Sequence, residues 1–166
     1  MDKPEKITTA EHAFLQMSRL CSRKECCVWE IQQKLQRMCI SDGNAEQIIL
    51  RLKKGRYIDE ARYARNYIHE KLTYNRWGKI KIVLSLRQKK IPDEVIQTAF
   101  AEFSDNELNA SLQPLLEFKR KTVKGSSHFE INGKLIRYAL GRGYPMKEIL
   151  SCMRKMNLDE LPDETE

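Results

Sequence analysis

The apolar positions of this chain repeat at long range. A shift of 51 residues lays Ile31, Leu35, Ile40, Ala45, Ile48, Ile49 and Leu52 on Ile82, Leu86, Ile91, Ile96, Ala99, Phe100 and Phe103 without a gap. A further shift of 53 reaches Leu135, Ala139, Tyr144, Ile149, Cys152, Met153 and Met156. All 21 positions are apolar or small, which points to three copies of one structural unit. Within a copy the first two positions are four apart, and the last four follow the i, i+3, i+4, i+7 pattern of a helix with one buried face. Each copy therefore reads as helix, break, helix. Ser41, Pro92 and Pro145 coincide just after the break. Proline suits the first turn of a helix, where its missing N–H costs nothing. In the first copy Ser41 or Asn44 is the candidate N-cap.

A third helix precedes each pair. It is clearest at 59–73, where Asp59 is the expected N-cap and Tyr63, Ala64, Tyr67, Ile68 and Lys71 form one stripe. Residues 8–21, capped by Thr8 or Thr9, and about 105–121, capped by Asp105, fill the equivalent slots. Pro114 lies inside the last of these and is expected to kink or divide it. The segment "TVKGSSH", 122–128, is the one convincing loop. One local signal disagrees: in "IKIVLSLR", Ile80, Ile82, Leu84 and Leu86 alternate with the period of a half-buried strand. The aligned segments "WEIQQKLQ" and "GKLIRYAL" do not alternate, and a repeat keeps one fold, so the reading is helix. The expectation is an all-α chain of three tandem three-helix repeats, about nine helices in an elongated, curved array. Repeats fall at 8–57, 58–104 and 105–157, with an acidic tail at 158–166. Tyr63 joins the repeat positions in the expected core, and neighbouring modules are expected to bury each other's faces.

Charge sharpens this picture. The formal net charge is +7, but the last eight residues, "DELPDETE", hold five carboxylates and no base. Removing those five negative charges leaves +12 on residues 1–158. A body this basic favours nucleic acid or an acidic partner. The tail reads either as a disordered solubilising end or as a competitor of that partner. Residues 71–92, "KLTYNRWGKIKIVLSLRQKKIP", carry seven bases and no carboxylate. Arg87, Lys89 and Lys90 close a helix, where the macrodipole favours cations. Arg76, Lys79 and Lys81 crowd a helix N-terminus, where it does not. With free backbone N–H groups and Gly78 allowing close approach, that terminus is a candidate anion site. Trp77 beside it is placed to stack on a base or to pack under the next module. Secondary basic positions are Lys119, Arg120, Lys121 and Lys124 near the loop, and Lys134, Arg137 and Arg142 in the third repeat. Lys134 aligns with Lys81 and Arg142 with Lys89, whereas the first copy has Glu30 and Met38 there. The asymmetry points the second and third modules at a polyanion and the first at protein.

Other chemistry finds little support. Cys21, Cys26, Cys27, Cys39 and Cys152 form no recognisable framework, and the reading is reduced thiols in a cytoplasmic protein. His12, His69 and His128 are scattered, so no metal and no cofactor is expected. No apolar run approaches the roughly 18–20 residues that span a bilayer. No triad, Gly-rich phosphate loop or carboxylate pair suggests an enzyme.

Three segments carry a family resemblance: "SRKECCVWEIQQKL" at 22–35, "GRYIDEARYARNYI" at 55–68 and "NRWGKIKIVLSLRQKKIP" at 75–92. Together with "LIRYALGRGYPMKEIL" they resemble the RecX family, bacterial regulators of the recombinase RecA, over roughly residues 10–157. The most specific block is Gly55, Tyr57-Ile58, Asp59, Glu60 and Arg62-Tyr63-Ala64. The resemblance implies tandem three-helix repeats, in agreement with the repeat alignment. It also implies a monomeric non-enzyme that binds the RecA filament on single-stranded DNA and inhibits ATP hydrolysis and strand exchange. The chain departs from the family in three ways. Cys39 and Lys90 stand where glycine is common and only Gly143 conforms. Cys27 replaces a capping serine, and Ser85 an acid. Two other readings of the residues stay open: a sequence-tolerant DNA-binding protein of helix-turn-helix-like modules, and a helical interaction scaffold.

Overall fold

The computed structural model describes residues 9–158. The Thr8 cap and the acidic tail from residue 159 onward lie outside the described residues. Ten helices and no strand form among those described: α1 (Ala10–Arg23), α2 (Val28–Arg37), α3 (Asp42–Lys54), α4 (Glu60–Thr73), α5 (Lys79–Gln88), α6 (Asp93–Phe100), α7 (Asp105–Asn109), α8 (Leu112–Arg120), α9 (His128–Gly141) and α10 (Met146–Lys155). The tenth helix comes from Pro114, which divides the expected seventh. Its ring cannot tolerate a helical carbonyl four residues back. That residue, Ala110, is where α7 ends, and Pro114 becomes the third residue of α8. The strand-like segment is helical, as the repeat required.

Side-chain caps explain half of the starts. Thr9, Ser41 and Asp59 accept from the backbone of His12, Asn44 and Arg62. Asp105 is not the cap of α7. Ser104 is, in a reciprocal capping box with Glu107, and Asp105 is the first helical residue, where its charge favours the dipole. Pro92 and Pro145 sit at the N-cap itself, one residue before the first turn.

Helix ends follow one device, used five times. After α2, α3, α5, α9 and α10 the chain turns through a left-handed residue: Cys39, Arg56, Lys90, Gly143 and Asn157, with φ of 58, 59, 60, 96 and 56°. The next residue's N–H then reaches back five positions, as from Ile40 to Leu35 (3.1 Å), Ile91 to Leu86 (3.2 Å) and Tyr144 to Ala139 (3.2 Å). These are Schellman turns, and they bring an apolar residue back onto the helix just ended. Cys39, Lys90 and Gly143 are the aligned positions at which the family prefers glycine, and their backbone gives the reason. A side chain with a Cβ is strained there by about 1 kcal/mol. Lys90→Gly is therefore expected to raise stability by about 0.5–1 kcal/mol. A lower urea midpoint would show that Lys90 makes a compensating contact.

Three separate apolar cores form. Ala13, Met17, Cys26, Ile31, Leu35, Ile48, Ile49, Leu52 and Ile58 make the first. Tyr63, Ile68, Ile82, Leu86, Ile91, Ile96 and Phe100 dominate the second. Leu112, Leu116, Leu135, Ala139, Tyr144, Ile149 and Met153 dominate the third. Of the 21 repeat positions 16 are buried and five half-buried, Ile40 among the latter. Apolar exchange between modules is narrower than expected. Only a few side chains cross, notably Cys27 and Trp29 from the first module and Leu108 toward the second core. Polar and backbone contacts do the rest.

Candidate functional site

The first junction is built around Glu30. One of its carboxylate oxygens accepts from the Tyr63 hydroxyl at 2.8 Å and from Lys89 Nζ at 3.1 Å. Beside it Arg62 pairs with Glu25 at 2.6 Å, and Glu60 accepts from the Val28 N–H at 3.3 Å. Cys27 precedes α2 without a side-chain cap, and Glu60 of the next module accepts instead from the first N–H of that helix, on Val28. The Cys27 thiol is pushed up to about 11 by burial. Burial first, then its bond to Glu30, raises Tyr63 above the ordinary tyrosine range. The family-specific block Asp59–Ala64 thus caps α4, packs the second core and bolts two modules together. Glu30 where other copies have lysine has a structural cause.

The second junction lies at the start of α5. Gly78 N–H donates to the Arg142 carbonyl at 2.8 Å and Ile80 N–H to the Gly143 carbonyl at 3.0 Å. The Tyr144 hydroxyl donates to the Arg76 carbonyl at 3.1 Å, and the Arg142 guanidinium donates to the Asn75 carbonyl. A Cβ on Gly78 would lie 2.4 Å from Gly143 carbonyl atoms, and one on Gly143 would lie 2.4 Å from Lys81 Cβ. This corrects the expected anion site. Two N–H groups of the α5 terminus are already taken by carbonyls of the third module, and Gly78 admits a peptide rather than a phosphate.

The candidate cations separate by environment. Lys89 and Arg142 hold the junctions. Arg87 pairs with Asp93 at 2.9 Å. Lys134 donates to the Lys124 carbonyl and pairs with Glu130, whose carboxyl is held down at about 2 chiefly by its hydrogen bond from Ser126. Trp77 packs half-buried against the second core, with the ammonium groups of Lys71 and Lys81 at 5.0 and 4.5 Å from its ring. Lys79 leans over Phe100 at 5.2 Å and Lys119 over Tyr138 at 4.6 Å. Arg76, Lys90, Arg120, Lys121 and Arg137 are exposed and have no side-chain partner among the described residues. What the sequence reasoning missed is the outer face of α5. Ile80 and Leu84 are 48% and 53% exposed, while Ile82 and Leu86 are fully buried. The signal was present: the strand-like alternation is a helix carrying apolar residues on both faces.

Among the described residues no cluster of His, Cys, Asp and Glu is placed to hold a metal, and no helix is long and apolar enough to cross a membrane.

Comparison with known proteins places this architecture. Residues 59–99 match the family model for the second three-helix domain of RecX. A regulatory protein RecX of Prosthecochloris aestuarii is 31% identical over 134 residues, covering 80% of this chain and 82% of that protein. Its namesake from Clostridium acetobutylicum is also 31% identical, over 131 residues and 76% of this chain. The chain spans 60% of that longer relative. The crystal structure of RecX from Lactobacillus salivarius superposes with a TM-score of 0.80 at 19% identity, covering 90% of this chain and 97% of that one. A second crystal structure of a regulatory protein RecX gives 0.79, also at 19%, over 89% of this chain and 72% of that one. The repeat spacing, the junction block and these relatives agree that this chain belongs to the RecX family of regulatory proteins.

Proposed function

We propose that the chain binds the RecA recombinase filament on single-stranded DNA and inhibits its ATPase and strand exchange, and so modulates recombination and DNA repair in the cytoplasm. The observation that carries the reading is the stretch 71–92, seven cations without a carboxylate, placed at the junction of the second and third modules. Support comes also from family membership. On this reading modules 8–57, 58–104 and 105–157 act as one non-catalytic monomeric array, and affinity accumulates from several weak contacts. Arg76 and Lys79 are the first contacts proposed, with Lys81, Lys90, Arg120, Lys121 and Arg137 around them.

The test is an ATPase titration of RecA on single-stranded DNA. Inhibition is expected at amounts of this chain well below one per recombinase subunit. Full ATPase activity at saturating protein would end the proposal. Duplex binding alone, with steep salt dependence, would favour a general DNA-binding protein instead. Reversing the charge of Arg76 and Lys79 is expected to weaken filament binding about tenfold. The slope of log affinity against log salt should become shallower by about 1.4, two single-strand phosphate contacts at about 0.7 each. An unchanged slope would assign those side chains to protein carboxylates or to none.

A further inference from the structure

Ile80 and Leu84 sit one turn apart on α5 and make no contribution to the second core, which Ile82 and Leu86 fill. Folding does not require them. The equivalent positions are Trp29 and Gln33 in the first module and Gly133 and Arg137 in the third, so the repeat does not preserve an apolar residue there. Tyr74, 78% exposed, ends the helix before α5, and Leu140, also exposed, lies in the last turn of α9 beside the junction. The surroundings are cationic. Lys81 flanks the strip on α5, and Lys90, exposed and without a side-chain partner among the described residues, follows two residues after that helix. No carboxylate occurs between residues 71 and 92.

From this arrangement we infer that the outer face of α5 is a protein-docking strip. Its partner is a protein surface with an aliphatic centre and a carboxylate rim. Charge complementarity selects the rim, and the branched aliphatic side chains select protein over nucleic acid. A base offers a π-face that pairs with aromatic rings, and a phosphate is repelled by apolar surface. Two half-exposed aliphatic residues gain most from burial against others of their kind. The inference rests on the proposed function and deepens it: the strip grips a recombinase subunit of the filament, not its DNA.

The test compares wild type with the double variant Ile80→Gln/Leu84→Gln in binding to RecA filaments on single-stranded DNA and to that DNA alone. Because both side chains are exposed and glutamine is a good helix former, the thermal midpoint should not fall. Filament affinity is expected to drop about tenfold or more, with DNA affinity unchanged, and the loss should persist at high salt. Unchanged filament affinity overturns the inference, as does parallel loss of filament and DNA binding. Failure of the wild type itself to bind filaments overturns the proposed function and the inference together, an outcome distinct from both. A benzophenone side chain in place of Leu84 decides independently of stability. A photo-crosslink to recombinase supports the strip, and a crosslink to DNA, or none, overturns it.

Discussion

Gly78→Ala is expected to destabilise the folded chain by about 3 kcal/mol and to loosen the third module from the second. The added methyl would lie 2.4 Å from the Gly143 carbonyl carbon and oxygen and 2.5 Å from the Tyr144 nitrogen. All three are backbone atoms, so no side-chain rotation relieves the clash. The α9–α10 turn must retreat, and the Gly78–Arg142 and Ile80–Gly143 hydrogen bonds stretch or break with it. Two peptide hydrogen bonds are worth about 0.5–1.5 kcal/mol each, and overpacking of this kind costs about 1–3 kcal/mol. Urea unfolding followed by fluorescence and by far-UV circular dichroism checks it. One transition in the wild type should separate into two in the variant. Gly133→Ala is the control, since only the far end of Arg137 comes within 4 Å of its Cβ, at 3.8 Å. In mid-helix it should be neutral or stabilising. Equal loss in both variants would mean that the glycine contact has no special role.

Glu30→Ala is expected to cost about 2–3 kcal/mol, because one carboxylate oxygen serves two donors. Its removal leaves the Tyr63 hydroxyl in a buried setting without an acceptor and Lys89 without its counter-ion. Glu30→Gln, which keeps an acceptor for Tyr63 but no charge for Lys89, should lose less. Combining Glu30→Ala with Tyr63→Phe should give a coupling of about 1–2 kcal/mol, since both changes delete the same bond. Strict additivity would show that the contact is not made in solution. The pH dependence has a definite sign. Tyr63 is held neutral in the fold above its ordinary pKa of about 10. Its contribution is therefore complete below pH 10 and is lost as pH rises beyond it. Tyr144, pushed up to about 12 by burial, adds a loss of the same sign between about pH 10 and 12.

The repeat positions were legible because a helix sets them by period: each of the 21 aligned residues is buried or half-buried. The same logic carried α5 against its local alternation. The junctions were not legible, because their partners are joined by no periodicity. Glu30 meets Lys89, and Gly78 meets Gly143, across more than 50 residues of chain. The cap of α7 was misread by one residue, since Ser104 and Asp105 are both good caps and only the capping box with Glu107 separates them. For the site, helix register placed the cations on their faces. It could not tell that carbonyls from another module occupy the N-terminus to which Arg76 and Lys79 pointed as an anion seat.

Cys26 and Cys27 are consecutive and buried in different cores, the first and the second. Their alternation leaves no slack in chain length at that point. One inserted residue would reverse which way each side chain faces and withdraw a buried group from one core or the other. Length variation among relatives should therefore avoid this dipeptide and gather instead at the exposed 121–127 loop, where added chain costs only slowly growing closure entropy.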